Sequence, residues 1–277
     1  MRRAGFTGLV ISVFALLALR PAAGGEQKPD APPLTAEQAE ALVAQLASEK
    51  PDEAAKAADQ LAEAGESALP ALIKQAKSRN ELVRKRVAAI LGRIITKESL
   101  QALYDVLAVE QPAGKPAKSV DVCRELICSI GNHREAGSIE KLQDLLLNKD
   151  ALLRLEAVMA LGRIGDAAAL PLVKRSCLDD EAVVRKAAVV ALGLIADRSA
   201  AAAVAPDLIA RLRDDDKPVR AMAYLVLKKL SGTDFEFDPA ADDQQRAESV
   251  RLWETWYKAN QNGGTGGGTG KEQNKSE

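Results

Sequence analysis

Small and apolar residues recur along the chain in one pattern with helical spacing. A capping residue stands four or five positions before an arginine, an alanine follows the arginine, and the copy ends in Leu-Gly. The copies read NELVRKRVAAILGRI from Asn80, DALLRLEAVMALGRIG from Asp150 and DEAVVRKAAVVALGLI from Asp180. Apolar residues spaced three, four and seven apart lie on one face of an α-helix. Each copy therefore predicts an amphipathic helix.

The pattern repeats with a unit of about 31 residues, and a fixed period of this length is typical of repeat architectures. Gly131, Gly162 and Gly193 follow one another at equal steps. Weaker copies begin at Pro51, Ser119 and Asp216. An insertion, Gln111 to Lys118, lengthens the third unit. The units are therefore similar, and they differ by insertions at their turns.

Positions in each copy are numbered here from its arginine, which is position 0. For Arg154, apolar residues at −1, +3, +6, +7 and +10 form a buried stripe, and they are Leu153, Ala157, Ala160, Leu161 and Ile164. Helix caps are expected at Asn80, Ser119, Asp150 and Asp216. The glycine at +8 either fits a close helix crossing or loosens the helix end.

A second helix is predicted upstream of each copy. Pro70, Pro171 and Pro206 each precede the glycine-equivalent position by the same distance along the chain. A proline in the early turns of a helix bends it. The unit is therefore a hairpin of a bent outer helix and a straighter inner helix. One hairpin cannot cover its own apolar face, so neighbouring hairpins must stack.

These features resemble the HEAT-repeat family, in particular its short variant named after phycobilisome lyase repeats. The resemblance covers residues 35–231 and rests on V-R-x-x-A-x-x-A-L-G with the upstream proline. It implies an all-α, right-handed α-solenoid, or α-α superhelix, of about six HEAT-like hairpins with a C-terminal capping helix. In that family an Asp/Arg pair joins adjacent repeats. Its arginine position holds Arg84, Arg154, Arg185 and Arg220, whereas Cys123 departs from it, so the third repeat is expected to dock less tightly.

The segment 232–260 is interpreted as a C-terminal cap with an aromatic helix. Trp253 and Trp256 would close the last apolar face together with Phe235 and Phe237. Exposed aromatic anchors for a partner are the alternative. Similar Phe-Asp-Pro…Trp-x-x-Trp endings occur in exported bacterial HEAT-repeat proteins. The Gly-rich tail, 261–277, is expected to be disordered.

The segment 1–24 is typical of a signal peptide. A basic start precedes an apolar run, Phe6 to Leu19, and small residues follow it. Cleavage after Gly24 would change the formal net charge from −1 to −4, because three arginines and no acid are removed. A linker, 25–34, comes next. The protein is therefore expected to be exported, periplasmic or extracellular, without a membrane span; an uncleaved anchor is the alternative.

Composition and candidate chemistry narrow the function. Aromatic residues are only 3%, so Ala, Leu, Val and Ile must form the core, and the small net charge gives no support to nucleic-acid binding. Cys123, Cys128 and Cys177 are interpreted as small buried residues, with a disulfide from Cys177 as the alternative. His133, the lone histidine, is expected to be solvated. The sequence contains no nucleotide-binding, metal-binding or haem-binding motif, so no cofactor and no catalytic residue are predicted.

Inner helices of such solenoids line the concave side, and positions +1, +5 and +9 should face outward there. None of these positions holds an acid, and six of them are basic. The predicted partner-binding residues are Lys85, Arg93, Arg124, Arg163, Lys186 and Lys229. We expect a monomeric, non-catalytic scaffold outside the cytoplasm that binds another protein through an acidic or amphipathic segment. Two alternatives stay open: a solvated face without a partner, and a lyase-like enzyme or enzyme subunit.

Overall fold

The computed structural model describes residues 33–112, 114–197 and 199–261, and every regular element in these ranges is a helix. Thirteen α-helices and three 3₁₀ segments of this part of the chain form six successive hairpins, numbered 1 to 6, and a final helix. The all-α repeat fold and the number of hairpins predicted from the sequence are confirmed.

Each hairpin has an outer helix and then an inner helix. The outer helices are α1 (Ala36–Gln45), α3 (Leu69–Gln75), α5 (Lys97–Glu110), α7 (Ser138–Leu142), α9 (Leu170–Ser176) and α11 (Ala201–Arg211). The inner helices are α2 (Pro51–Glu63), α4 (Glu81–Leu91), α6 (Val120–His133), α8 (Ala151–Ile164), α10 (Ala182–Ile195) and α12 (Lys217–Ser231). The final helix is α13 (Asp243–Asn260), and the 3₁₀ segments are Gly65–Ala68, Gln143–Leu147 and Ala167–Ala169.

The chain divides into two compact units. Hairpins 1 to 5 belong to the first unit, which ends at Ile195, whereas hairpin 6 and α13 belong to the second, which begins at Ala196. The solenoid predicted as one domain over residues 35–231 therefore extends across a unit boundary.

Side-chain caps begin the inner helices where the sequence predicts them. Asn80 accepts hydrogen bonds from the backbone N–H groups of Leu82 and Val83. Ser119, Asp150 and Asp216 accept in the same way at the starts of α6, α8 and α12. These contacts satisfy donors that have no partner within the helix, which stabilises each helix start by about 1 kcal/mol.

The repeated prolines lie at two kinds of position. Pro70 and Pro171 occupy the first turn of a short α-helix that follows a 3₁₀ segment, where a missing N–H costs nothing. Pro206 lies inside α11. In hairpins 2 and 5 the outer element is therefore a 3₁₀ segment joined to an α-helix, and not the single bent helix that the sequence predicts.

Glycines in the inner helices permit close approach between neighbouring hairpins. A Cβ atom on Gly162 would lie 2.9 Å from the Cα atom of Ala191, and one on Gly131 would lie 2.8 Å from the Cα atom of Ala160. The alanine at +6 of one inner helix thus packs on the glycine at +8 of the preceding one. The predicted apolar stripe of α8 is fully or almost fully buried in this seam.

The repeat arginines connect successive hairpins. Arg154 donates two hydrogen bonds to the carboxylate of Asp179 in the next hairpin, both at 2.8 Å, and a third to the carbonyl of Asn148 in its own hairpin. Arg84 makes the equivalent pair with Glu110, also at 2.8 Å. The role that the family resemblance implies for this arginine is confirmed at both positions.

Hairpin 3 packs closely although Cys123 replaces its arginine. Helix α6 packs against both α4 and α8, and Cys123 is completely buried. The inserted loop closes on itself, because the N–H of Lys118 donates to the carbonyl of Glu110 at 2.7 Å. The expectation that this hairpin docks less tightly than the others stays a prediction.

The second unit has an aromatic core. Trp253 is completely buried, and the Phe235 and Trp256 rings meet it edge-on at centroid distances of 4.9 Å and 5.9 Å. Arg220 is also buried and donates to the carbonyls of Asp214 and Pro239. The aromatic residues of this segment thus pack together as the capping prediction requires.

The predicted signal peptide, residues 1–24, and most of the Gly-rich tail lie outside the residues that the structure describes. Within the described ranges, no helix is both long and apolar enough to cross a membrane.

Candidate functional site

The surface formed by the inner helices carries the partner-binding residues predicted from the sequence. In α4, α6, α8 and α10, positions +1, +5 and +9 are half-buried or exposed, except for Val190, which is buried. We call this surface, together with the side chains at position +2 beside it, the inner-helix face. Its residues in the first unit are Lys85, Arg86, Ala89, Arg93, Arg124, Glu125, Cys128, Asn132, Leu155, Glu156, Met159, Arg163, Lys186, Ala187, Val190 and Leu194.

Two arginines of this face share one carboxylate. The Nη2 atom of Arg124 donates to the Oε1 atom of Glu156 at 3.2 Å, and the Nη2 atom of Arg163 lies 3.7 Å from the Oε2 atom of the same carboxylate. Asp121 is a longer partner of Arg124, at 3.8 Å. The Nε of Arg124 and the Nε and Nη2 of Arg163 are buried nitrogens for which the described residues supply no hydrogen-bond acceptor. The cluster therefore holds two cations against one central anion and retains unsatisfied donors.

A second carboxylate, Glu125, lies beside this cluster and is half-buried. Burial raises the pKa of Glu125, and the nearby Lys85 ammonium opposes the rise without cancelling it. Glu156 raises the same pKa further. The ionised form of Glu125 is thus less favourable here than in water.

The remaining predicted cations have different surroundings. Arg93 is exposed and pairs at 2.8 Å with Asp59 of hairpin 1, so its charge is neutralised locally. Lys186 lies half-buried on α10, beside the apolar residues of hairpin 5. Lys229 is exposed on α12 and belongs to the second unit. The structure thus brings Lys85, Arg124 and Arg163, from hairpins 2, 3 and 4, together around Glu125.

Sequence reasoning missed the acids at position +2. Glu125 and Glu156 lie on the inner-helix face, whereas the predicted stripe at +1, +5 and +9 contained no acid. The signal was present, because a residue three before Cys128 or Met159 shares its helix face. The face is therefore of mixed charge, with an excess of cations around Glu156, and is not uniformly basic.

Apolar side chains form the rest of the face. Leu155, Met159 and Leu194 are half-buried, as is Cys128. Burial raises the pKa of the Cys128 thiol, although the Arg163 guanidinium opposes the rise. Among the described residues no two cysteines form a disulfide, and Cys123 and Cys177 are buried. The alternative of a disulfide from Cys177 is not observed.

His133 is part of a helix junction and is not the solvated residue that the sequence predicts. It ends α6, is half-buried, and donates from Nε2 to the carbonyl of Leu91 at the end of α4, at 3.2 Å. Burial lowers the pKa of His133, and the hydrogen bond to Leu91 only partly offsets this. Among the residues that the structure describes, no group of His, Cys, Asp and Glu is arranged to hold a metal ion.

Comparisons with known proteins agree with this geometry. The family model for HEAT repeats matches residues 39–114 and 116–193, more than half of the chain. The X-ray structure of YibA from Escherichia coli is similar with a TM-score of 0.53 and 19% identity, covering 82% of this chain and 77% of that one. No curated protein matches the chain in sequence.

Two other solved structures have weaker similarity. A designed armadillo repeat protein has a TM-score of 0.43 and 22% identity, over 69% of this chain and 99% of that one. The complex of CpcE and CpcF of phycocyanin lyase from Nostoc sp. PCC7120 has a TM-score of 0.41 and 18% identity, over 90% of each chain. The matched family model covers hairpins 1 to 5. The seam of glycine and alanine joins hairpins 3, 4 and 5, and the arginine links begin in hairpins 2 and 4. The chain belongs to the HEAT-repeat family.

Proposed function

We propose that the protein is a non-catalytic scaffold that acts outside the cytoplasm and binds a partner protein on its inner-helix face. A rigid stack of helices offers an extended surface of fixed side chains, which is the common use of repeat solenoids. The proposed partner segment is amphipathic. Its apolar side chains pack on Leu155, Met159 and Leu194, and one of its carboxylates meets Arg124 and Arg163.

The observation that carries this proposal is the sharing of Glu156 by Arg124 and Arg163. Two guanidinium groups around one carboxylate leave an excess of positive charge that favours a further carboxylate, because charge-assisted hydrogen bonds are the strongest that a surface offers. Half-buried apolar residues beside them supply area that a partner can cover. A cationic pair next to an apolar strip therefore fits an acidic, amphipathic segment better than a basic one.

Site-specific photo-crosslinking tests the location of binding. A photoreactive residue at Met159 on the inner-helix face is expected to capture a discrete partner in cells that export the protein. The matched position is Glu140, which is exposed on the outer helix α7 and should capture none. Equal capture at the two positions, or none at Met159, would contradict the proposal.

The proposed location outside the cytoplasm is tested separately. Cell fractionation should find the protein in the exported fraction, and mass spectrometry of its N-terminus should give a chain that begins at Gly25. A cytoplasmic chain that retains Met1 would overturn this part of the proposal and leave the binding surface to be judged by crosslinking.

A further inference from the structure

Exposed apolar side chains lie at the turns between the outer and inner helices of hairpins 4 and 5. Leu147 and Leu178 are 66% and 73% exposed, and Leu152 and Val183 are 43% and 44% exposed. Leu178 lies one repeat after Leu147, and Val183 lies one repeat after Leu152. Both hairpins therefore carry an apolar residue at the same two positions of the repeat. Single exposed leucines are ordinary, but a repeated pair on adjacent turns forms a patch. We call these four residues the turn patch.

Direct contacts hold the two turns side by side. Arg154 donates to the carbonyls of Asn148 and Lys149 in hairpin 4, at 2.8 Å and 3.2 Å. The same guanidinium donates twice to the carboxylate of Asp179 in hairpin 5. Leu147 and Leu178 immediately precede these bridged residues. The turn patch is therefore one continuous surface within the first unit.

Charged residues of opposite sign flank the patch at equivalent positions. Asp144 in hairpin 4 corresponds to Arg175 in hairpin 5, and Lys149 corresponds to Asp180, each pair one repeat apart. Asp144 and Arg175 lie one helical turn before Leu147 and Leu178. All four charged side chains are exposed, and no ion pair involves them among the residues that the structure describes. Along the chain, hairpin 4 thus presents a negative and then a positive charge, whereas hairpin 5 presents a positive and then a negative charge.

We propose that the turn patch binds a second copy of this chain, forming a two-fold dimer. A two-fold axis between hairpins 4 and 5 sets hairpin 4 of one copy against hairpin 5 of the other. Leu147 then meets Leu178 and Leu152 meets Val183, while Lys149 meets Asp180. An isologous interface requires a self-complementary surface of this kind. The sequence alone predicts a monomer, and the patch is the reason to depart from that prediction.

The inversion of charge distinguishes a second copy from an unrelated partner. A partner of another sequence needs only a complementary surface, and nothing would require the same two positions in adjacent hairpins to carry opposite charges. In a two-fold dimer, each residue of hairpin 4 faces the equivalent residue of hairpin 5 in the other copy. Opposite charges at equivalent positions therefore attract each other on both sides of the axis.

Sedimentation equilibrium of the purified full chain, up to about 1 mM, tests the dimer. Wild type is expected to show a reversible monomer–dimer equilibrium. Leu178→Asp should weaken the association about tenfold or more, because it places a charge at a position that the second copy covers in the dimer. Ile95→Asp is the matched control, since Ile95 is 58% exposed but lies outside the turn patch, and it should leave the association unchanged.

Charge reversal tests the two-fold arrangement. Lys149→Glu and Asp180→Lys should each weaken the dimer, and the double variant should restore it, because the swapped residues again meet with opposite signs. A chain that stays monomeric over the whole concentration range would overturn the proposal. So would a dimer that Leu178→Asp leaves intact, or a double variant that is no stronger than the single ones. Circular dichroism of each variant checks that it is folded.

Discussion

The seam between inner helices makes the sharpest stability prediction. Alanine is a better helix former than glycine by about 1 kcal/mol, so Gly162→Ala would stabilise an isolated helix. In the structure the added Cβ atom would lie 2.9 Å from both the Cα and the Cβ atoms of Ala191, whereas ordinary contact begins at 3.4 Å. The Cα atom belongs to the backbone and cannot rotate away. Helices α8 and α10 must therefore move apart.

The expected cost follows from these opposing effects. Overpacking a close contact costs about 1–3 kcal/mol, and a clash with a backbone atom lies in the upper half of this range, at about 2–3 kcal/mol. The gain in helix propensity returns about 1 kcal/mol. We expect Gly162→Ala to lower the free energy of unfolding by about 1–2 kcal/mol. Urea unfolding followed by circular dichroism in the far ultraviolet measures this change.

A matched substitution separates the seam from the general effect of glycine. Gly137→Ala adds a Cβ atom whose nearest neighbour is a carboxylate oxygen at 3.9 Å, and its backbone is right-handed, so it should not destabilise the protein. In the Gly162→Ala background, Ala191→Gly removes one of the two clashing atoms. The double-mutant cycle should show a favourable coupling of about 0.5 kcal/mol or more. A Gly162→Ala protein as stable as wild type would refute the reasoning.

Three further outcomes are expected. Arg154→Met should lower the free energy of unfolding by about 1–3 kcal/mol, because Asp179 is left largely buried without its partner. Lys50→Met removes only an exposed ion pair and should leave the free energy of unfolding almost unchanged. The pKa of His133 is lowered on folding, so its contribution to stability is complete above pH ~6.5 and is lost as the pH falls toward the pKa of the folded state. In His133→Gln the melting temperature should therefore depend less on pH in this range than in wild type. Burial raises the pKa of Cys123 to about 12, so iodoacetamide should label it only after unfolding, as mass spectrometry would report.

Regular features of the chain could be predicted because each repeats. The arginine, the capping residues and the apolar stripe recur at the same spacing in several copies, which a chance pattern in a single helix would not do. The glycine at +8 left two alternatives open, since the sequence does not show what the neighbouring helix places opposite it. Ala160 and Ala191 settle that question in favour of a close crossing.

Departures from the pattern were the less predictable part. Cys123 lacks the charge of the repeat arginine, and the closure of the inserted loop on Glu110 could not be deduced from spacing. Arg124 lies on hairpin 3, whereas Arg163 and Glu156 lie on hairpin 4, so their contact depends on how the two hairpins pack. A helical wheel drawn for one helix does not show this packing. His133 depends likewise on a carbonyl of the preceding hairpin.

The most direct test of the binding surface is the affinity of the partner captured at Met159 for two variants of opposite design. Glu156→Gln removes the internal carboxylate that competes for Arg124 and Arg163, so it should tighten binding. Reversal of both arginines to glutamate should weaken binding by about tenfold or more. If both variants weaken binding, or neither changes it while both remain folded, the inner-helix face does not bind the partner through this cluster.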